Sequence, residues 1–330
     1  MKAFVRTLFL LVLACAAGAS AHAQRRPQPS PTPDVPQDTG ATERVTTRIV
    51  RLPVTVLDGK RQPISGLTMD DFLVYEDKQL QKIEGFFDEQ TSLPIYVAVL
   101  MDTSSSTAGK MRFEQEAAKD FIYTVVRLRK DKVAFGTFDD DVRLVQDFTD
   151  KLDLLDTAVD SVKKPGRQTS LYDAVWEFCD QKLRGVTGKR VIVVITDGDD
   201  TYSRARLKDA IDIAQRTETV IFAISTKAGF SSVVPGVEAG QVKDSGDKEL
   251  ERLCAETGGR AFFTGDRLAL ERSFTQVARE LRSQYLLTYK PTRPFDGSTR
   301  QIEVKLADRS RKGLEVRTRK GYTATDDTVK

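Results

Sequence analysis

The chain has 330 residues, 40% of them hydrophobic and 30% charged, as in an ordinary globular protein of one large domain or two modest ones. Its 51 basic and 48 acidic side chains leave a net charge of +3, so no global field draws it to nucleic acid. The single histidine, His22, falls in a segment expected to be removed. A mature chain without histidine runs no Ser-His-Asp or Cys-His mechanism and binds no zinc through imidazole.

Residues 1–23 read as a cleaved signal peptide. Lys2 and Arg6 form a positive start, "TLFLLVLACAAGA" an apolar core, and Ala21 to Ala23 a small-residue cleavage site. The apolar run is too short to span a bilayer, and no later segment is long and apolar enough. Lipid attachment at Cys15 is disfavoured, because Leu13 and Ala14 fit that pattern poorly. The expected location is secreted or periplasmic. Export would permit a disulfide between Cys179 and Cys254, but both sit among apolar neighbours in helical patterns, as buried free thiols do.

Residues 24–43 carry prolines at 27, 29, 31, 33 and 36 and read as a disordered tether. Residues 44–92 form an N-terminal β module. "RIVRLPVTVLD" alternates, "DGKRQP" turns, "TMDD" makes one helical turn, and "DFLVYED" and "QKIEGFF" are short strands. Three strands in about fifty residues make a poor independent domain.

From 93 to 284 strands and helices alternate. "IYVAVLM" precedes a helix from Met111 to Arg129, and "KVAFGTF" and "VRLVQDF" form a hairpin with Asp139 to Asp141 at its tip. Helices follow over Leu152–Val162 and Leu171–Leu183, the latter with Trp176 expected in the core. Then come the strand "RVIVVIT", a helix over Arg204–Arg216 and the strand "TVIFAIS". A helix over Lys248–Thr257 stops at Gly258-Gly259, "RAFFTG" is another short strand, and Leu268–Ser283 is the last helix. Continuous apolar strands between amphipathic helices predict an α/β fold, a doubly wound, mostly parallel sheet covered on both faces. The long loop from Lys227 to Gly246 is a candidate for shaping specificity, on its length alone.

Residues 285–325 are β again and carry ten Lys or Arg against four Asp or Glu between Thr288 and Tyr322. These charges alternate with Ile302, Val304 and Leu306, so they are expected on the outer, solvated face of strands rather than on a polyanion-binding surface. The two β stretches are natural partners, which predicts one sandwich-like module completed from both ends of the chain.

Three strand ends or helix starts offer oxygen atoms: Asp102-Thr103-Ser104-Ser105-Ser106, Thr169, and Thr196-Asp197-Gly198. In a doubly wound sheet such loops converge in one crevice. Two carboxylates with three hydroxyls suit a small, hard divalent cation and repel a phosphate. A P-loop would need Gly in place of Ser104 and Ser or Thr in place of Met111, and no GxGxxG follows any strand. A serine nucleophile lacks a histidine base, and the SxxK of Ser161 to Lys164 stands without companion motifs. Alone, Asp-x-Ser-x-Ser is also an ordinary helix N-cap cluster. With Thr169 and Asp197 at their own strand and helix ends, a metal ion accounts for all of them.

That pattern resembles the metal-ion-dependent adhesion site of von Willebrand factor type A domains. "GLTMDDFLVYEDKQLQKI" before it, and "LRSQYLLTYKP" and "RKGY" after it, resemble a group of secreted bacterial VWFA-related proteins. The resemblance implies a Rossmann-type, von Willebrand factor A-like fold and no enzyme. It implies that Ser104, Ser106 and Thr169 hold Mg²⁺ (or Mn²⁺ or Ca²⁺) directly, that Asp102 and Asp197 hold it largely through water, and that a carboxylate of an unknown protein partner completes the coordination. One departure stands out: Gly166-Arg167-Gln168-Thr169 replaces the glycines common before the metal-binding threonine, which offers Arg167 to an acidic ligand. Asp200 is a candidate to support the ligands from behind, and Asp199 belongs to a solvated turn. Two rivals remain: a Mg²⁺-dependent hydrolase with Asp199 or Asp200 as general base, and a structural envelope protein with a vestigial site.

Overall fold

The computed structural model describes residues 49–88, 93–197, 199–227, 244–263, 267–308 and 313–325. The expected signal peptide with Cys15 and His22, the proline-rich tether and most of the Lys227–Gly246 loop lie outside the described residues.

The strand β5 (Ile95–Asp102) is apolar along nearly its whole length because helices cover both faces of the sheet it centres. One side of β5 pairs in parallel with β6 (Lys132–Phe138), which pairs antiparallel with the edge strand β7 (Val142–Thr149). The other side pairs in parallel with β8 (Lys189–Thr196), followed by β9 (Thr219–Ser225) and β10 (Ala261–Phe263). Val97, Val99 and Met101 face α1 (Met111–Val125), α2 (Leu152–Ser161) and α6 (Arg267–Arg282). Ala98 and Leu100 face α3 (Leu171–Glu177), α4 (Leu207–Arg216) and α5 (Ser245–Thr257). The chain builds outward from β5 through β6 and β7, then returns to the opposite side of β5 for β8. That reversal makes the carboxyl ends of β5 and β8 a topological switch point, where a crevice opens.

The helix expected over Leu171–Leu183 is α-helical only to Glu177 and continues as a π-helical turn, Phe178–Leu183. Its wider turn buries Phe178, Cys179 and Leu183, and the Phe178 ring fills the space that a side chain at Gly136 would need. Gly258 ends α5 at φ +90°, as a left-handed stop requires. Cys179 and Cys254 are buried free thiols. Trp176 is not core: it is 41% exposed, on the solvent side of α3.

The remaining strands form two antiparallel sheets that share one apolar cluster. One orders β13 (Glu315–Arg317), β1 (Val50–Leu57), β11 (Tyr285–Tyr289) and β4 (Ile83–Phe87). The other orders β14 (Gly321–Thr323), β12 (Thr299–Leu306), β2 (Phe72–Glu76) and β3 (Gln79–Gln81). Strands from both ends of the chain thus make each sheet, as the alternating patterns predict. "QKIEGFF" is not one strand, because Gln81 ends β3 in one sheet and Ile83 starts β4 in the other.

The charges of the last segment do not all face water. Arg300 shares the inward face of β12 with Ile302 and Val304 and is fully buried. Its guanidinium donates to Glu76 Oε1 at 2.7 Å and to the Pro294 carbonyl. The hydroxyls of Tyr289 and Tyr322 donate to Glu76 Oε2 at 2.6 and 2.9 Å. Both Glu76 oxygens are thereby engaged by three donors, which lets a carboxylate sit in an apolar core. Among the described residues no helix is long and apolar enough to cross a membrane.

Removing one member of this pair leaves the other buried and uncompensated, so Arg300→Ala lowers the unfolding free energy by about 3–5 kcal/mol in urea denaturation. Replacing both partners, Arg300→Met with Glu76→Leu, recovers most of that loss. Equal losses in the single and double variants would show that the pair is not what the site depends on.

Candidate metal centre

Asp102 is the last residue of β5, wholly buried at the switch point. Its Oδ1 accepts the Ser104 N–H at 2.8 Å, and its Oδ2 accepts the Thr196 hydroxyl at 2.6 Å from across the crevice. The carboxylate therefore ties the loop after β5 to the end of β8. Ser104 is buried and its hydroxyl lies 2.9 Å from that of Ser106, which faces solvent. Asp197 follows Thr196 directly and is largely buried.

Thr169 arrives on the loop before α3, and that loop is held from both sides. Gly166 N–H donates to the Thr103 carbonyl at 2.7 Å, and the Ser105 hydroxyl donates to the Arg167 carbonyl at 2.9 Å. On the other flank, Thr201 and Tyr202 N–H groups donate to the Thr169 carbonyl, each at 3.0 Å, and Thr169 N–H donates to the Thr201 hydroxyl at 3.0 Å. A side chain at Gly166 would collide with Asp139, so the close approach requires glycine. All five sequence-identified residues thus belong to three loops that meet at one end of the sheet.

Of the outer candidates, Asp200 accepts the Ser203 hydroxyl at 2.6 Å and the Tyr172 N–H at 3.3 Å, and burial raises its pKa above the ordinary carboxylate value. It braces the start of α3. Asp199 pairs with Lys227 at 2.8 Å. The Arg167 guanidinium is almost wholly exposed, 3.7 Å from Asp140. Asp139 stands at the hairpin tip between β6 and β7, as expected, but is buried there: it accepts the Thr103 hydroxyl at 2.9 Å and pairs with Arg143 at 3.1 Å.

One buried acid escapes the sequence motifs. Glu114, in the first turn of α1, accepts the Thr226 hydroxyl at 2.8 Å through Oε1, while Oε2 is buried without a hydrogen-bond partner. Burial, with the nearby charges of Asp102 and Asp197, pushes its carboxyl up to about 8. The signal was present in the sequence, since Glu114 falls on the apolar stripe with Ala118, Phe121 and Val125. Burial likewise pushes the Asp102 carboxyl up to about 6, against the hydrogen bonds that lower it.

These groups fit a hard divalent cation. Excess buried negative charge and an unpartnered carboxylate oxygen call for a positive charge at this end of the sheet. Among the described residues no three acidic or cysteine side chains cluster as a metal site of their own; the oxygen donors gathered here are two carboxylates with the hydroxyls of Ser104, Ser106 and Thr169.

A family model for the von Willebrand factor type A domain matches residues 97–276. None of the curated proteins matches the sequence. Among solved structures, an aerotolerance-related membrane protein from Bacteroides fragilis NCTC 9343 is similar at 18% identity and TM-score 0.44, over 57% of this chain and 98% of that one. Proximal thread matrix protein 1 from the mussel byssus is similar at 17% identity and TM-score 0.48, over 63% of this chain and 51% of that one. A structure of the same mussel protein described with a zinc-occupied MIDAS motif is similar at 16% identity and TM-score 0.45, over 62% and 49% of the two chains.

The buried acids set a pH dependence. Folded Glu114 keeps its proton up to about pH 8, whereas its unfolded value is 4.5, so the folded state binds more protons between them. Stability of the metal-free protein therefore falls as pH rises across that window, by at most about 1.4 kcal/mol per pH unit, and then levels off. Asp102 adds to the fall only up to about pH 6. Between pH 6 and 8, denaturation in EDTA should show a declining wild type and a flat Glu114→Gln variant; parallel curves would remove Glu114 as the cause.

Proposed function

Because the chain belongs to the von Willebrand factor type A domain family, a module that typically mediates protein–protein interaction, we propose that it is an exported binding module whose Mg²⁺ is held by Ser104, Ser106 and Thr169, with Asp102 and Asp197 behind them. Mn²⁺ and Ca²⁺ satisfy the same donors. The bound ion supplies an electrophilic coordination position that a partner protein's carboxylate fills.

The observation that supports this most is the anchoring of Asp102, whose two oxygens are pinned by Ser104 and Thr196. With both oxygens held, the carboxylate is pre-set to receive water or metal without reorganising. Ser104 and Ser106 present hydroxyls side by side, and uncharged donors leave an ion strongly attractive to an incoming anion. Arg167, exposed on the threonine loop, adds a second attraction for that anion. The exported location rests on the N-terminal sequence alone.

The hydrolase alternative fares worse on the same geometry. A general base must be free to take a proton, but Asp199 is paired with Lys227 and Asp200 is engaged by Ser203 and the backbone of α3.

Calorimetry with Mg²⁺ and Mn²⁺ tests the site. Ser106→Ala removes an exposed hydroxyl without touching the core, and Asp197→Ala removes a carboxylate; each should weaken binding about 10- to 100-fold. A pull-down from envelope extract should yield a partner that EDTA releases. Unchanged metal affinity in both variants, or metal-dependent turnover of phosphate or carboxylate esters, would count against the adhesion-type function.

A further inference from the structure

Beside the metal centre lies a groove of about 710 Å³, walled by Asp140 to Val142, the exposed side of α3 and the Tyr202–Ala205 segment. Its volume falls in the range of ligand sites, roughly 300–1,000 Å³. It is continuous with the threonine loop: Ser170 lines it and follows Thr169, and Tyr202, in its wall, donates its N–H to the Thr169 carbonyl. Resting on the proposed metal-dependent function, we propose that this groove takes an arginine side chain of the same partner that offers its carboxylate to the ion.

Several independent features point to a cation. Asp173 and Glu177 stand one helical turn apart on α3, and among the described residues neither has an ion pair. Asp173 accepts only the N–H groups of Arg204 and Ala205, at 3.0 and 2.8 Å. The groove's other acids are already matched, Asp140 to Arg167, Asp141 to Arg143 and Asp209 to Arg206. Burial holds the Glu177 carboxyl above its ordinary range, against the pull of the Lys182 charge and with a smaller push from Asp173.

The wall also carries two exposed aromatic rings, Trp176 and Tyr202, at 41% and 54% exposure. Rings that leave the core to stand beside unpaired carboxylates form the recognition set for a guanidinium, which stacks on an indole while its fork bonds carboxylates. At the floor, Ser170 is only 3% exposed and occupies the N-cap position of α3 without capping it. The one basic side chain lining the groove, Arg204, forms no ion pair among the described residues and competes for the same acids. Removing it should strengthen binding.

Trp176 is the only tryptophan of the chain, so its emission reports on the groove directly. The probe is N-acetylargininamide, with N-acetylglycinamide as control, titrated in EDTA and in Mg²⁺. The expected result is a saturable emission change with the arginine probe alone, in both buffers, because the groove does not need the ion. The dissociation constant should rise about tenfold in Glu177→Gln and fall in Arg204→Ala, opposite signs that general unfolding does not produce. Acetylated peptides carrying Arg and Glu one to four glycines apart should then bind at least tenfold tighter in Mg²⁺ than in EDTA. That advantage should vanish when Glu becomes Gln, and Glu177→Gln should weaken the peptides while leaving Mg²⁺ calorimetry unchanged. Absence of an emission change while Mg²⁺ still binds overturns the groove and spares the metal site. An arginine response with no Mg²⁺ binding, or with no gain for any acidic peptide in Mg²⁺, overturns the shared partner.

Discussion

Burial of the Asp102 carboxylate at the end of β5 is the constraint on which the functional end of the molecule depends. A lone carboxylate in such a place is costly, and its neighbours only partly offset the cost. One donor, the Ser104 N–H, comes from its own loop, and the other, the Thr196 hydroxyl, comes from the strand beyond the switch point. The same acid therefore fixes the distance between two loops and leaves a deficit of positive charge between them. Glu114, with one oxygen engaged by Thr226 and the other unpartnered, adds to that deficit only on losing the proton that burial holds up to about pH 8. The arrangement that orders the two loops is thus the same one that suits a cation.

The two ends of the central sheet divide the work. At the amino ends of the strands the sandwich is fastened by polar contacts to the carboxyl ends of helices. Arg319 donates to the Gln215 carbonyl at the end of α4 and to the Arg51 carbonyl of β1, and Arg317 pairs with Glu280 of α6 at 2.9 Å. Cations at helix carboxyl ends are favourable there. The opposite end, where Asp102, Thr169 and Asp197 gather, is left to loops, and the long segment whose centre lies outside the described residues also departs from it. The candidate metal centre and the attachment of the sandwich thus lie at opposite ends of the sheet.

Much of this was legible from letter order. The apolar run of β5 required cover on both faces, and the acids and hydroxyls closing β5 and β8 required a shared crevice. The misreadings have physical causes. Arg300 was assigned to a solvated face because charge outweighed parity, yet it keeps step with Ile302 and Val304, and parity fixes which face a strand residue takes. Helical spacing assigns Trp176 to the core, yet Tyr172 and Val175 fill that face and the indole stands outside it. Glu114 went unnoticed because an acid on an apolar stripe reads as an interruption, when it marks a buried carboxyl group. The split of "QKIEGFF" between two sheets has no local signature, since tertiary pairing alone decides it.

The order of elements along the chain raises a problem of assembly that Lys189 resolves. Glu76 and Arg300 are 224 residues apart in sequence, and the sandwich cannot form until both ends of the chain meet. Closing so long a loop costs entropy, although the cost grows only slowly with length. Once the central sheet forms, the backbone N–H of Lys189 donates to the Pro94 carbonyl at 2.9 Å, just before β5. Its buried ammonium donates to the Leu281 and Gln284 carbonyls at 3.2 and 2.8 Å, at the end of α6 and just before β11. One residue thus holds both places where the chain passes from sheet to sandwich. The folded α/β layer replaces a loop of nearly the whole domain with a junction a few residues across, so the sandwich inherits its closure from the layer that carries the candidate metal centre.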